Sequence, residues 1–155
     1  MPSSYSRVVL HTVFSTKYRK PLITPDIEPD LLRFMSKVLI AEGCKVIEIN
    51  CVPDHVHIVH TLPRTVSIAN LLERLKSKTT KMVHRAFPRL RGRFYWQTGY
   101  ATFSADYRHL KDLREYVRNQ KVHHGYEEFY REFLKLLNAF ELEYDPKYLF
   151  PEEPD

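Results

Sequence analysis

The chain has 155 residues, an apolar content of 43% and a formal net charge of +5. This length suits one compact domain, and the apolar content excludes disorder along the whole chain, so we expect a single domain over residues 1–155. The sequence contains no run near the roughly 20 apolar residues of a membrane-spanning helix, and its first residues lack the apolar stretch of a signal peptide. These features predict a soluble, cytoplasmic protein.

The first half of the chain predicts a strand, a helix and a hairpin. Residues 7–15 are rich in Val, Leu, Thr and Phe without Gly or Pro, which favours a strand. Apolar residues at helical spacing predict a helix over residues 29–43, and Gly43 should end it. Residues 45–51 and 55–62 predict two antiparallel strands, joined by a tight turn at Pro53 and Asp54.

The second half predicts a long basic helix, a further strand and two more helices. The basic helix starts at Ile68 and is stopped by Pro88. An extended segment follows over residues 94–104, with Gly99 as a candidate break. Asp106 opens a helix that reaches residue 122, and the last helix spans residues 126–140.

The order of these elements is β-α-β-β-α-β with additional C-terminal helices. This order predicts an α+β protein with a ferredoxin-like (RRM-like) antiparallel sheet, in which two helices cover one face of the sheet. We expect the other face to be open. Such a sheet serves RNA-recognition modules as well as many enzymes, so the fold by itself does not determine function.

Basic residues cluster between residues 74 and 93, where no Asp or Glu interrupts them. The basic residues of this segment are Arg74, Lys76, Lys78, Lys81, Arg85, Arg89, Arg91 and Arg93. Aromatic residues follow directly: Phe94, Tyr95, Trp96, Tyr100 and Phe103. Basic side chains beside aromatic ones suit a groove that binds a nucleic-acid backbone and stacks bases. A solvated helix face followed by ordinary core aromatics is the alternative.

His55 and His57 lie two residues apart on a predicted strand, so both side chains project from the same face. Two imidazoles in this arrangement can clamp a metal ion, although hydrogen-bonded or exposed histidines are the commoner explanation of such a pair. His60 would point the other way. Cys44 and Cys51 are predicted to be buried free thiols.

Tyr116 and Gln120 lie four residues apart and therefore share one face of the predicted third helix. Of the ten tyrosines, only Tyr116 is followed by Gln four residues later. Tyr148, which is followed by Glu152 at the same spacing, is the nearest rival. An apolar stripe beside this face would dock the helix on the core: Leu110, Leu113 and Val117. A tyrosine that merely packs its ring is the simpler explanation of Tyr116 taken alone.

Four stretches together resemble the single-tyrosine HUH transposases of the insertion sequence 200/605 type, including the REP-associated tyrosine transposases. The resemblance covers nearly the whole chain. The stretches are His11-Thr12-Val13-Phe14-Ser15-Thr16-Lys17-Tyr18-Arg19, Val52-Pro53-Asp54-His55-Val56-His57, Tyr95-Trp96-Gln97-Thr98-Gly99-Tyr100 and Glu115-Tyr116-Val117-Arg118-Asn119-Gln120.

The resemblance implies a role for each candidate residue. His55, His57 and Gln120 would bind Mg²⁺ or Mn²⁺, and Tyr116 would be the nucleophile that cleaves and rejoins single-stranded DNA through a 5′-phosphotyrosine. Zinc also suits the histidines, but the nucleic-acid context favours the other two metals. The resemblance further implies one transposase catalytic domain, hairpin substrates at element ends, and a homodimer whose active sites are shared between subunits. Candidate DNA-binding residues are Lys17, Arg19, Lys20, Arg74, Lys78, Lys81 and Arg85.

Two other classes of function stay open at this point. The chain could be a non-catalytic or domesticated protein that binds single-stranded nucleic acid through its basic surface. It could also be a metal-dependent phosphoesterase or nucleotide hydrolase that uses His55 and His57. His123 and His124 are interpreted as residues that satisfy the carbonyls at a helix end rather than as ligands.

Overall fold

The structure, a computed structural model, describes residues 3–122 and 126–154. Four strands form one antiparallel sheet: β1 (Val9–Ser15), β2 (Val46–Val52), β3 (His55–Thr61) and β4 (Ala101–Ser104). They lie in the order β2-β3-β1-β4. Helix α1 (Glu28–Ala41) connects β1 to β2, and α2 (Ile68–Ala86) connects β3 to β4. The predicted ferredoxin-like order is confirmed.

Helices α1 and α2 pack on one face of the sheet. The side chains of that face alternate along β1 and β3 with those of the opposite face, as the two-residue period of a strand requires. Phe14, Val56 and Ile58 meet Leu31 and Leu75 of the two helices in the main core cluster. Gly43 follows α1 with a φ of +98°, the left-handed conformation that ends helices, as predicted.

The opposite face is covered as well, and the expectation of an open face was wrong. Within the part of the chain that the structure describes, three further helices follow β4: α3 (Leu110–Arg118), α4 (Tyr126–Ala139) and the short α5 (Pro146–Leu149). Leu110, Leu113 and Val117 of α3 pack on Val9 and Val59 of the sheet, which confirms the predicted apolar stripe. Leu137 of α4 packs on Ala101 and Phe103 of β4. Side chains that lie between the sheet and these two helices are therefore buried.

Two predicted elements are shorter than the sequence suggested. The extended segment at 94–104 gives a strand only from Ala101, because Gly99 has a φ of +94° and breaks it; Trp96 pairs with Thr16 as an isolated bridge. The helix opened by Asp106 is divided into a 3₁₀ turn, α3 and a second 3₁₀ turn, Gln120–Val122. Asn119, with φ −93° and ψ 15°, ends α3.

Polar contacts fix α3 on β2. The Asn50 side-chain amide donates to the carbonyls of Val117 and Arg118, each at 3.0 Å, and so satisfies the end of α3. Glu48 forms ion pairs with Arg114 and Arg118. Together with the apolar stripe, these contacts determine where Tyr116 and Gln120 lie relative to the sheet.

None of the helices in residues 3–122 and 126–154 has the length and apolar character needed to cross a membrane.

Candidate active site

The predicted histidine pair lies on the sheet face beneath α3 and α4. His55 and His57 of β3 are both buried, with ring centroids 5.2 Å apart. His60 lies on the opposite face of the same strand, where its Nε2 is 2.8 Å from the hydroxyl of Thr12. The alternation of β3 therefore separates His60 from the pair, as predicted.

A third histidine joins the pair. His11 of β1 is 3% exposed, and its Nε2 lies 2.8 Å from Nδ1 of His57. The two rings are stacked, with centroids 5.1 Å apart. The register pairs Val13 with His57, so His11 is the diagonal neighbour of His57 across the strands. Burial lowers the pKa of His11 to about 4, with the nearby His60 adding to the shift, so His11 is neutral near pH 7.

His55 is held by a charged pair. Its Nδ1 lies 2.8 Å from Oδ1 of Asp54, while the guanidinium of Arg19 donates to the other carboxylate oxygen at 2.8 and 3.1 Å. Burial acts to raise the pKa of Asp54, but the bond from His55 and the charge of Arg19 hold it below its usual value. Burial lowers the pKa of His55, against the opposing effect of Asp54.

The turn that brings Arg19 inward is strained. Tyr18 and Arg19 have φ values of +57° and +54°, a region that costs residues other than Gly on the order of 1–2 kcal/mol each. Neighbouring hydrogen bonds hold this conformation: Thr16 Oγ1 donates to the carbonyl of Lys20 at 2.7 Å, and the Tyr18 amide donates to the Gln97 side chain at 3.0 Å. The strained turn therefore places the buried Arg19 guanidinium next to Asp54, the residue that contacts His55.

Tyr116 and Gln120 lie beside the histidines of the same chain. The ring of Tyr116 meets that of His57 edge to face, with centroids 5.8 Å apart, and that of His11 at 6.3 Å. Gln120 is fully buried, and its side-chain amide donates to the backbone carbonyl of Tyr116 at 3.3 Å. The same amide acts to raise the pKa of His55 and to lower that of Tyr116, so it lies close to both side chains. Gln120 lies in the 3₁₀ turn after α3, whereas the sequence predicted that it shares one continuous helix with Tyr116.

Helix α4 covers the outer side of this group. Phe129 stacks on His55, with centroids 3.7 Å apart, and is itself covered by the guanidinium of Arg19 at 4.8 Å. Glu132 accepts a hydrogen bond of 2.6 Å from the hydroxyl of Tyr116. Burial raises the pKa of Tyr116 and the bond to Glu132 raises it further, while Gln120 opposes the shift.

The donor set suits a cation that accepts nitrogen and amide oxygen. Within residues 3–122 and 126–154, no three or more His, Cys, Asp or Glu side chains are placed to hold a metal together. Two imidazoles and the amide of Gln120 are the available donors. Both Nδ1 atoms of the pair are engaged by Asp54 and His11, the arrangement in which a ligating histidine turns Nε2 towards a metal. The residues present therefore fit a divalent cation.

Six of the seven predicted DNA-binding side chains reach the surface at least in part: Lys17, Lys20, Arg74, Lys78, Lys81 and Arg85. Glu42 is the partner of both Arg74 and Lys78, at 2.8 and 3.9 Å, and Lys20 pairs with Glu153. Arg19 is buried against Asp54, so its position in this structure is behind His55 rather than on the basic surface.

A groove of about 550 Å³ separates α2 from residues 95–100. Its lining includes Lys76, Lys81, Tyr95 and Tyr100, and both tyrosines are 42% exposed. The Lys76 ammonium donates to the carbonyls of Gln97 and Gly99, which holds this segment against α2; burial lowers the pKa of Lys76 to about 8. Basic and aromatic side chains therefore share one concave surface.

The remaining predictions have simple outcomes. Trp96 is buried and donates to Thr79 at 3.0 Å, so it packs in the core. Cys44 and Cys51 are buried free thiols, as predicted, and burial raises their pKa to about 11 and about 12. His123 and His124 lie outside the described residues.

A ferredoxin-like sheet here carries a buried histidine pair against a tyrosine and a glutamine, which are residue types that an enzyme can use to bind a metal ion and to attack a substrate. The sequence model of the family described as "Transposase IS200 like" matches residues 4–120, which is most of the chain. The chain belongs to this family of IS200-like transposases. It is therefore an enzyme of DNA transposition, and α4 and α5 lie beyond the matched region.

Individual relatives agree with this assignment. The chain is 25% identical over 114 residues to the transposase for insertion sequence element IS200 of Salmonella typhimurium, covering 71% of this chain and 74% of that protein. It is 20% identical over 114 residues to the ISDra2 transposase TnpA of Deinococcus radiodurans, covering 71% and 81%.

Two solved structures share the fold. A putative transposase from Deinococcus radiodurans matches with a TM-score of 0.65 at 19% identity, covering 77% of this chain and 95% of that one. The REP-associated tyrosine transposase bound to a REP hairpin matches with a TM-score of 0.59 at 16% identity, covering 100% and 97%. At these identities the likeness establishes the fold.

The buried His11 predicts a loss of stability in acid. Its pKa falls from 6.5 to about 4 on folding, so the unfolded chain binds a proton that the folded chain does not bind between these values. The stability from this group is complete above pH 6.5 and is lost as the pH falls towards 4, about 3 kcal/mol in all. Urea unfolding across this range should give a free energy of unfolding that rises more steeply with pH in wild type than in His11→Gln, by the equivalent of about one proton. An equal pH dependence in the two proteins would contradict the lowered pKa of His11.

Proposed function

We propose that this transposase cleaves and rejoins single-stranded DNA, with Tyr116 as nucleophile and Mg²⁺ or Mn²⁺ bound by His55, His57 and Gln120. The observation that carries the proposal is the contact of Tyr116 with His57 in one chain, with the fully buried Gln120 bonded to the backbone carbonyl of Tyr116 and close enough to His55 to raise its pKa. Contacts of α4 with the same residues support a single catalytic domain over residues 1–155.

A divalent cation at this site would polarise a phosphate oxygen and stabilise the charge that develops in the transition state. The chain's own contribution is to fix the donors. Asp54 and His11 orient the two imidazoles, and the burial of Gln120 fixes its amide beside His55. Three protein donors leave room for water and for a phosphate oxygen.

The nucleophile is in a resting state in this structure. An ordinary tyrosine has a pKa near 10, so about one phenol in a thousand is ionised at neutral pH. Burial raises the pKa of Tyr116 and the bond to Glu132 raises it further, so the ionised fraction is lower still. Attack on phosphorus requires Tyr116 to exchange its bond with Glu132 for contact with the substrate. Phe129, stacked on His55, must also make room for the phosphate.

The proposed reaction conserves the number of phosphoester bonds. The phenolic oxygen of Tyr116 forms a bond to phosphorus, giving a 5′-phosphotyrosine, while the bond to the 3′ oxygen breaks. The phenol proton is lost, and the departing oxygen gains a proton to become a 3′-hydroxyl. A 3′-hydroxyl then attacks the phosphotyrosine and releases Tyr116. No nucleotide cofactor is required.

Replacement of Tyr116 by Phe should abolish covalent attachment to DNA, because the ring is kept and the attacking oxygen is removed. Wild-type protein with labelled single-stranded DNA and Mn²⁺ should give an adduct that survives denaturant. Tyr148→Phe is the matched control, since Tyr148 is 70% exposed and was the rival candidate; it should form the adduct normally. An adduct formed by Tyr116→Phe would refute the assignment, and no adduct with wild type would favour a non-catalytic DNA-binding protein.

The Tyr116→Phe variant also distinguishes a site shared between two subunits from a site formed within one chain. A homodimer with shared sites is implied by the family resemblance, whereas the contacts within one chain favour a site completed by its own Tyr116. A mixture of Tyr116→Phe with His57→Ala should therefore stay inactive. Recovery of adduct in the mixture would show that the tyrosine of one subunit serves the histidines of another.

We further propose that the DNA partner is single-stranded and includes hairpins at the ends of an element. The matched REP-associated transposase is bound to a REP hairpin, and this chain has a net charge of +5. The groove between α2 and residues 95–100 offers Tyr95 and Tyr100 for stacking beside Lys81. Lys17, Arg74, Lys78 and Arg85 are proposed to extend the phosphate contacts from this groove.

Salt dependence tests the proposed surface. Neutralisation of about five phosphates should give a slope near −3.5 for the logarithm of the binding constant against the logarithm of salt concentration on single strands. Lys81→Ala should reduce the magnitude of that slope by about 0.7, measured by fluorescence anisotropy. Lys37→Ala, which removes an exposed charge from α1, should leave it unchanged. A flat salt response, or equal effects of the two variants, would reject the surface.

A further inference from the structure

His11 is a polar side chain in a position that an apolar one could fill. It is 3% exposed, and its ring is packed between His57, Phe103 and Tyr116, with centroid distances of 5.1, 6.1 and 6.3 Å. Burial of an imidazole is unfavourable unless its nitrogens are hydrogen-bonded. The contact that offsets this cost is the 2.8 Å bond between His11 Nε2 and His57 Nδ1.

The direction of this bond follows from the proposed metal site. A neutral imidazole carries one proton, and the nitrogen that binds a cation must present its lone pair. If His57 binds through Nε2, its proton is on Nδ1, and Nδ1 can only donate. His11 Nε2 must then accept, which places the proton of His11 on its Nδ1.

The two histidines of the pair are thus oriented by different acceptors. Asp54 accepts from His55 with a carboxylate that is itself held by Arg19. His11 faces the equivalent nitrogen of His57 with a neutral ring, supplied by the neighbouring strand β1. Stacking of the two rings, 21° from parallel, restricts rotation of His57 in addition to the hydrogen bond.

We infer that His11 is a positioning residue of the metal centre: it accepts the Nδ1 proton of His57 and thereby fixes the tautomer and ring orientation that present Nε2 to the cation. This inference rests on the proposed function, because it assigns His57 as a ligand. A partner of this kind on a ligating histidine typically changes metal affinity by 10–100-fold when it is removed.

Calorimetric titration of the full-length protein with Mn²⁺ tests the role of His11. His11→Leu removes the acceptor and should weaken Mn²⁺ binding by 10–100-fold. His11→Gln places an amide oxygen near the position of Nε2 and should restore affinity to within about threefold of wild type. His11→Asn has a shorter side chain that does not reach His57, and it should bind as weakly as His11→Leu. Should His11→Leu fail to fold, His11→Asn tests the loss of the acceptor.

His60→Gln is the matched control. His60 is a buried histidine of the same strand, 1% exposed, but it bonds to Thr12 on the opposite face. Its replacement should lower thermal stability and leave Mn²⁺ affinity unchanged. A loss of affinity in His60→Gln equal to that in His11→Leu would overturn the inference, since destabilisation alone would then explain both.

The other outcomes are also decisive. Equal Mn²⁺ binding by wild type and the His11→Leu and His11→Asn variants would overturn the positioning role and leave the metal site intact. Absence of Mn²⁺ binding by wild type would overturn the metal site and this inference together. Nitrogen-15 NMR of the metal-free protein gives an independent measure: His57 should be protonated on Nδ1, and protonation on Nε2 would overturn the inference.

Discussion

The antiparallel pairing of β1 with β3 is the constraint on which the site depends. Its register places Val13 opposite His57 and Ser15 opposite His55, so that His11 becomes the diagonal neighbour of His57. A slip of one residue would move every side chain of a strand to the other face and separate His11 from the pair. The main core on the opposite face enforces the register, because Phe14, Val56 and Ile58 must stay buried there.

Helices α3 and α4 cover the second face of the sheet and thereby bury these histidines. Helix α3 is fixed by Asn50, Glu48 and its apolar stripe, and α4 adds Phe129 over His55. Electrostatic interactions strengthen when water is excluded, so a cation and a phosphate would interact more strongly here than at an exposed site. The same enclosure keeps Tyr116 protonated and bonded to Glu132. Under the proposed function, this conformation has its metal-binding donors in place, while Tyr116 still has to exchange its bond with Glu132 for contact with substrate.

Local sequence signals predicted the sheet order, the two covering helices and the residues of the histidine pair. Strand alternation separated His55 and His57 from His60, and helical spacing placed Tyr116 on a docked helix. These features depend on periods of two and 3.6 residues, which are visible in a single sequence. Gly99 and Asn119 shortened two elements, because the local backbone conformation at one residue overrode the pattern around it.

Contacts between distant segments were not visible in the sequence. His11 lies 46 positions from His57, and its role depends on strand register, which no local pattern encodes. Arg19 was predicted to be a surface cation, yet a turn with two positive φ values directs it inward to Asp54. Asp54 was interpreted as a turn residue, and its bond to His55 is a second use of the same side chain. The contacts of Phe129 and Glu132 with the site could not be predicted, because no local sequence pattern encodes the packing of α4 over the site.

The central claim is that one chain assembles a cation site from His55, His57 and Gln120 beside Tyr116. The most direct measurement is anomalous diffraction at the manganese edge from crystals of the wild-type protein soaked in Mn²⁺. The account predicts a peak within direct coordination distance of Nε2 of both histidines. It also predicts that Gln120 and Tyr116 of the same chain border that peak. A peak at another site, or a peak at the histidines bordered by the tyrosine of a second chain, would contradict it.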